Sequence, residues 1–422
     1  MLNATSAFEP IRLRDITIPN RIWMSPMCQY SASGDGLPTD WHLVHYGSRA
    51  VGGVGLVLVE STAVGPRHRS TAADLGLWNK EQAGAHRRLT SFILDAGAVP
   101  AVQLQCAGRK SSHQRPWEGK GQNGAVPPAV GGWTPLAPSA IPFGDLSEPC
   151  EAMPEDIDEV VAAFARSAAL AHEAGYQAVE VHAGHGYLLH QFLSPLSNHR
   201  TDEYGGSLEN RMRLTLRVAQ SVREAFPADK PVLVRVTATD WAPEGITVEE
   251  AVPLAKELAA LGVDLLDVTS GALQPASPPP TGDGLNVAFG RTLREASGLP
   301  VAPVGRISHH ALVDDVLARG DADAVLIGRA LLRDPYFALR NRDAGKSVWP
   351  RSTTGRSRKA AAASCWSWLL ANSAPPGTII AVKGADGKLL LQGWLRTRRS
   401  HRRPRPVPVR GRGGLAAATA RR

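Results

Sequence analysis

Between Arg21 and Arg329 short strand-like runs alternate eight times with longer amphipathic, helix-like ones, and this repeat predicts a (β/α)8 barrel. Two further observations support that fold class. The strand candidates are continuously apolar instead of alternating, as strands covered on both faces must be. The eight units also occupy roughly 310 residues, a span that suits a closed TIM barrel better than an open doubly wound sheet, although counting alone leaves the open sheet as the alternative.

The strands are expected at 22–27, 55–60, 99–104, 178–182, 231–237, 264–269, 300–307 and 323–328. Helical patterns separate them. In 154–174, acids fill the first turn and Gly175 follows the last, as helix start and stop signals require. Residues 8–20 read as a hairpin plugging one end of the barrel. Residues 111–151, rich in Gly, Pro and Trp, are too long for a βα connection and are expected to form an excursion or lid after the third strand. The domain plan is a barrel over 1–350 followed by a basic, low-complexity tail over 351–422, which is expected to be disordered.

Composition excludes several classes. The 422 residues are 43% hydrophobic and 20% charged, an ordinary soluble balance. No apolar stretch approaches the ~18 residues of a membrane span, and the start of the chain shows neither a secretory signal nor a transit peptide. Four scattered cysteines without CxxC spacing argue against a disulfide framework, a structural zinc and an iron-sulfur cluster. A cytoplasmic protein is expected. The net charge of +8 belongs to the tail: of 47 Lys/Arg and 39 Asp/Glu, residues 351–422 hold 16 and one, leaving 31 and 38 in the body, near −7. A basic, anion-binding surface is therefore a property of the tail alone.

Barrel enzymes carry their chemistry at the C-terminal ends of the strands. Here those ends present Ser25-Pro26-Met27-Cys28-Gln29-Tyr30, Gln103, His182 with His185 and Tyr187, Arg235, Gly305-Arg306 and Gly328-Arg329. The last two pairs follow strands seven and eight, where such barrels bind phosphate, so a phosphorylated cofactor is implied. Each feature has a plainer reading on its own. A His-x-x-His pair is more often structural or metal-binding, a single cysteine is more often a small buried hydrophobe, and Gly-Arg after a strand often only turns the chain. Arg235 within an apolar strand is a stronger signal, because a buried guanidinium needs an anionic or acceptor partner.

The run from His182 through Asn198, Arg200, Asp202 and Tyr204 to Asn210-Arg211 closely resembles the signature segment of the Old Yellow Enzyme flavoproteins. Ser25-Pro26-Met27-Cys28-Gln29-Tyr30 and Ala107-Gly108-Arg109-Lys110 resemble its thermophilic-like subclass, in which a cysteine near the flavin replaces the threonine of the yeast-type enzymes. The resemblance covers about residues 8–349. It implies FMN as cofactor and NADPH or NADH as hydride-donating co-substrate, the chemistry of an NADPH dehydrogenase or alkene reductase. Ser25, Pro26, Met27 and Cys28 would cradle the isoalloxazine ring, with Cys28 tuning its potential. Ser61, where the family usually has alanine, would touch the ring edge. Gln103 and Arg235 would bind the pyrimidine end, and Gly305, Arg306, Gly328 and Arg329 the phosphate. His182 and His185 would hold the carbonyl oxygen of an activated alkene, Tyr30 and Tyr187 would line the pocket, and Tyr187 would protonate the α-carbon after hydride reaches the β-carbon.

Two departures stand out. Cys106 replaces the usual histidine. The family's aromatic and arginine-bearing C-terminal segment, which reaches into a neighbouring subunit's site, is absent after Trp349. We read this as a reading-frame change near residue 351; it puts the family's homodimer or homotetramer in doubt, with Arg351 and Arg356 left as candidates for the intersubunit arginine. Among rivals, a dienoyl-CoA-reductase-type flavoprotein needs an iron-sulfur cluster that the cysteines do not support. The other alternative is a flavin-binding barrel of low activity whose Arg-rich tail binds nucleic acid or anionic surfaces through phosphate neutralisation.

Overall fold

The structure, a computed structural model, describes residues 6–118, 124–275 and 277–340, and the backbone of two strands further on. Residue contacts divide the chain into Met1–Thr354 and Gly355–Arg422. In the first unit, β1 (Ile11–Leu13) and β2 (Ile16–Ile18) pair as an antiparallel hairpin. The barrel strands that follow are β3 (Ile22–Met24), β4 (Leu56–Ala63) and β5 (Val99–Gln105). The excursion adds a short parallel pair, β6 (Leu136–Ala137) with β7 (Cys150–Glu151). Then come β8 (Ala178–Ala183), β9 (Val232–Thr237), β10 (Leu265–Thr269), β11 (Val301–Pro303) and β12 (Val325–Ile327).

Eight strands form one parallel sheet in the order β11-β10-β9-β8-β5-β4-β3-β12. Its two edges meet at the parallel bridge Val304–Leu326, which brings the sheet round into a barrel. The helices α1 (Asp40–Val51), α2 (Lys80–Asp95), α3 (Pro154–Glu173), α4 (Leu188–Leu193), α5 (Leu208–Ala225), α6 (Val248–Ala260), α7 (Val287–Ser297) and α8 (His310–Ala318) intervene between strands, and α9 (Arg329–Arg333) and α10 (Phe337–Arg340) follow β12. None of the described helices is long and apolar enough to cross a membrane.

Two apolar layers hold the barrel. Strand residues facing outward pack on the helices. Those facing inward, among them Trp23, Leu56, Leu58, Leu233, Leu265 and Leu326, form a separate cluster with Leu13 and Ile18 of the hairpin, which therefore closes the N-terminal end as expected. Function is left to the other end.

Most expected strands lie within a residue or two of those observed, and the larger differences have local causes. The first strand stops at Met24 rather than 27: Ser25 still donates its N–H to Ile327 O, at 3.0 Å, but Pro26 has no N–H with which to extend the ladder. The seventh ends at Pro303 rather than 307, because Gly305 and Arg306 take φ of 141° and 53° and turn the chain out of the sheet.

The excursion is fastened by Arg200, whose Nη1 donates to Pro138 O at 3.1 Å and Ala152 O at 2.7 Å, and by Ser139 Oγ, which accepts from His199 N. Much of the signature segment is thus a clasp. In the second unit the described strands β13 (Ile380–Lys383) and β14 (Leu389–Gln392) pair antiparallel. The expectation of a disordered tail, with Arg351 and Arg356, otherwise falls on residues outside the described ones.

Candidate active site

The candidate residues lie in the C-terminal halves of the barrel strands or in the loops just after them, with Ser61, Gln103 and Arg235 inside β4, β5 and β9. On β4 the register against β5 slips between Val59 and Thr62, and the irregularity lets neighbouring residues serve different sides. Glu60 turns to α1, accepting from Tyr46 Oη at 2.9 Å and from Gln29 N at 2.6 Å, and so ties down the loop carrying Cys28 and Tyr30. Ser61 instead donates to Gln103 Oε1 at 3.0 Å. From there a buried polar chain crosses the barrel. Gln103 Nε2 donates to Glu180 Oε1 at 2.7 Å, Arg235 Nε donates to Asp267 Oδ2 at 2.6 Å and lies 3.7 Å from Glu180 Oε1, and Arg235 Nη2 reaches Ser25 Oγ at 3.1 Å. Glu180 and Asp267, which sequence reasoning missed, are both fully buried. Their carboxyls sit above the usual range because burial penalises the charged form, with Arg235 opposing the shift. Both stand mid-strand in apolar runs, and buried acids in such runs were the signal available.

The second cluster follows β8. His182 is buried, and its Nδ1 accepts from Gly184 N at 3.2 Å, which places the proton of the neutral ring on Nε2. His185 adopts a left-handed φ of 53°, held by its N–H to Thr237 Oγ1 at 3.0 Å and by Nε2 against Thr269 Oγ1 at 2.7 Å. The two imidazoles stand perpendicular with centroids 5.3 Å apart, and the Tyr187 ring lies 4.9 Å from that of His182. Burial, then nearby positive charge, holds both histidines well below their ordinary pKa, so they are neutral donors. Cys28 lies beside Tyr187 and Tyr30, and burial raises the thiol and the Tyr187 phenol, keeping both protonated. Tyr30, like His185 and Arg306, holds a left-handed φ, an arrangement that costs about 1–3 kcal/mol each and persists where surrounding contacts impose it.

Supporting residues that sequence reasoning passed over surround this loop. His190 Nδ1 accepts from Gly186 N at 2.7 Å and its Nε2 faces Asp240 at 2.9 Å. Lys110 Nζ donates to His185 O at 2.8 Å and to Ala272 O, beneath the ring of Phe143 from the excursion at 4.2 Å. Burial, then Arg109, pulls the Lys110 ammonium down to about 7. The charged form is thus penalised in the fold, so stability should rise with pH between about 7 and the unfolded lysine's 10.5. Lys110→Met should flatten that rise in urea melts across the same range, and an unchanged slope would contradict the assignment.

The third region, after β11 and β12, is a cavity of about 240 Å³ lined by Gly305, Arg306, Gly328, Arg329, Arg333 and one acid, Asp283. Met27 packs beside Gly328, joining the cavity to the Ser25–Cys28 loop. Its guanidinium excess suits an anion.

With this geometry in view, residues 6–344 match the NADH:flavin oxidoreductase / NADH oxidase family. The chain belongs to that family. It is 43% identical over 335 residues to an NADPH dehydrogenase of Geobacillus sp. strain WCH70, covering 79% of this flavin oxidoreductase and 92% of the relative. An Old Yellow Enzyme homologue from Zymomonas mobilis superposes with a TM-score of 0.67 at 26% identity, over 80% of this chain and 92% of that one. Morphinone reductase in complex with tetrahydroNAD gives 0.67 at 27%, over 80% and 90%. This oxidoreductase therefore uses FMN and a nicotinamide co-substrate.

Proposed function

We propose that the protein is an ene-reductase that saturates alkenes conjugated to a carbonyl. The observation that carries this reading is the meeting, at one partly buried corner, of two neutral perpendicular imidazoles and a protonated phenol beside the polar chain around Arg235. The residues fit FMN. The arginine-lined cavity suits its phosphate, Gln103 and Arg235 suit the donors and acceptors of its pyrimidine end, and the Ser25–Cys28 loop joins the two. Bound FMN would supply the two-electron chemistry, taking a hydride from the nicotinamide nucleotide and passing one from N5 to the β-carbon of the alkene.

The chain's own groups do the rest. His182 Nε2–H and His185 hold the substrate oxygen, and as neutral donors they polarise it without protonating it. Their preorganisation opposes the negative charge that gathers on that oxygen as hydride arrives. Tyr187 Oη then gives its proton to the α-carbon and recovers one from solvent. Tyr30 and Cys28 flank the phenol and help to hold it protonated. His182→Ala should lower the rate of 2-cyclohexen-1-one reduction by about 10² to 10³ while reduction by NADPH persists. An unaltered rate would remove His182 from substrate binding.

A further inference from the structure

Beneath the proposed pyrimidine site, one guanidinium faces two carboxyls. Arg235, Glu180 and Asp267 project from the adjacent strands β9, β8 and β10, and the two acids have no exposed surface. Arg235 spends its contacts on Asp267, through Nε and Nη2, and on Ser25; its approach to Glu180 is longer, at 3.7 Å. Glu180 Oε1 is satisfied by Gln103 Nε2. Glu180 Oε2 and Asp267 Oδ1 are buried and have no hydrogen-bond partner. Two ionised carboxylates could not satisfy these oxygens with one another, and a second buried negative charge without its own partner is strongly penalised, whereas one proton on the pair would remove that charge and supply a donor. Other titratable groups facing this cluster are Cys28, which acts on Arg235, and His182 and His185, on which Arg235 acts. None supplies a positive charge, since the thiol and both imidazoles are neutral.

We infer that Glu180 carries a proton in the resting protein and donates it to Asp267. The girdle Ser61–Gln103–Glu180–Arg235–Asp267 is then electrically neutral, one guanidinium against one carboxylate. Glu180 is a positioning residue: its neutral carboxyl orients Gln103 on one side and Asp267 on the other, and it leaves the charge of Arg235 answered once instead of twice. Resting on the cofactor placement proposed above, this has a consequence for the flavin. A twice-neutralised Arg235 would disfavour the extra negative charge of reduced FMN at the pyrimidine end; a once-neutralised one tolerates it.

The test is infrared spectroscopy of the full chain, with and without FMN, at neutral pH in H2O and D2O. The expected result is a protonated-carboxyl C=O band that shifts in D2O and is lost in Glu180→Gln. No such band in the wild type would overturn the inference. Among the described residues, Asp74 is the other buried acid with a raised carboxyl. Should Glu180→Gln fail to fold, Asp267→Asn decides, because loss of the Asp267 charge shifts or abolishes the band if Glu180 carries the proton and leaves it in place if Asp74 does. In the holoprotein, Glu180→Gln should change the ratio of reduced- to oxidised-FMN affinity by less than about threefold. A shift of about tenfold or more toward the reduced form would mean that Glu180 is ionised in the wild type and would overturn the inference. A protein that shows the band yet takes up no FMN would overturn the cofactor placement and leave the proton on Glu180 standing.

Discussion

Tyr187→Phe is expected to lower the rate of alkene reduction by about 10² to 10⁴, the range of a positioned general acid. The substitution removes one oxygen and keeps the ring that lies 4.9 Å from His182, so packing in the corner survives. Burial together with Cys28 and Tyr30 keeps the phenol protonated far above neutral pH, so the donor form is present throughout the working range. Stopped-flow spectroscopy separates the two half-reactions. Reduction by NADPH should proceed within a few-fold of wild type, while reoxidation by 2-cyclohexen-1-one should become slow. An unimpaired reoxidation would show that the proton comes from elsewhere.

Arg235→Met should destabilise the protein by about 3–5 kcal/mol, the usual cost of removing one partner from a buried ion pair. Asp267 would keep its burial and lose the guanidinium that answers its charge. The sign of the pH dependence follows. In the variant, protonating Asp267 relieves the penalty, so the deficit should shrink as pH falls and be largest above neutrality. Urea denaturation at several pH values measures this. FMN affinity should fall as well, since Ser25 loses the guanidinium that contacts it and the pyrimidine end loses its cation. A variant as stable as wild type at all pH values would mean that the polar chain is already neutralised by other means.

Much of this was legible in the sequence because barrel topology turns linear order into position. Once eight apolar strands were counted, their C-terminal ends became one surface, and Gln103, His182, Arg235 and Arg306 fell on it without any knowledge of contacts. The hairpin plug was legible for a similar reason, since Leu13 and Ile18 are apolar in a polar context. Less visible were residues whose role depends on a partner far along the chain. Glu60 serves the Cys28 loop only because a slip in β4 turns it toward α1, and no periodicity announces a slip. Thr237 and Thr269 end ordinary β-branched strands, yet they fix His185 across two neighbouring loops. Strand ends at residues 27 and 307 were misjudged where apolar composition continued past the point at which Pro26, Gly305 and Arg306 had already turned the chain.

The most direct test of the account is the visible absorption spectrum of the purified protein with FMN, recorded anaerobically as NADPH and then 2-cyclohexen-1-one are added. The expected result is a flavin band that bleaches with NADPH and returns with the enone. A protein that takes up no FMN, or whose reduced flavin persists in the presence of enone, would contradict it.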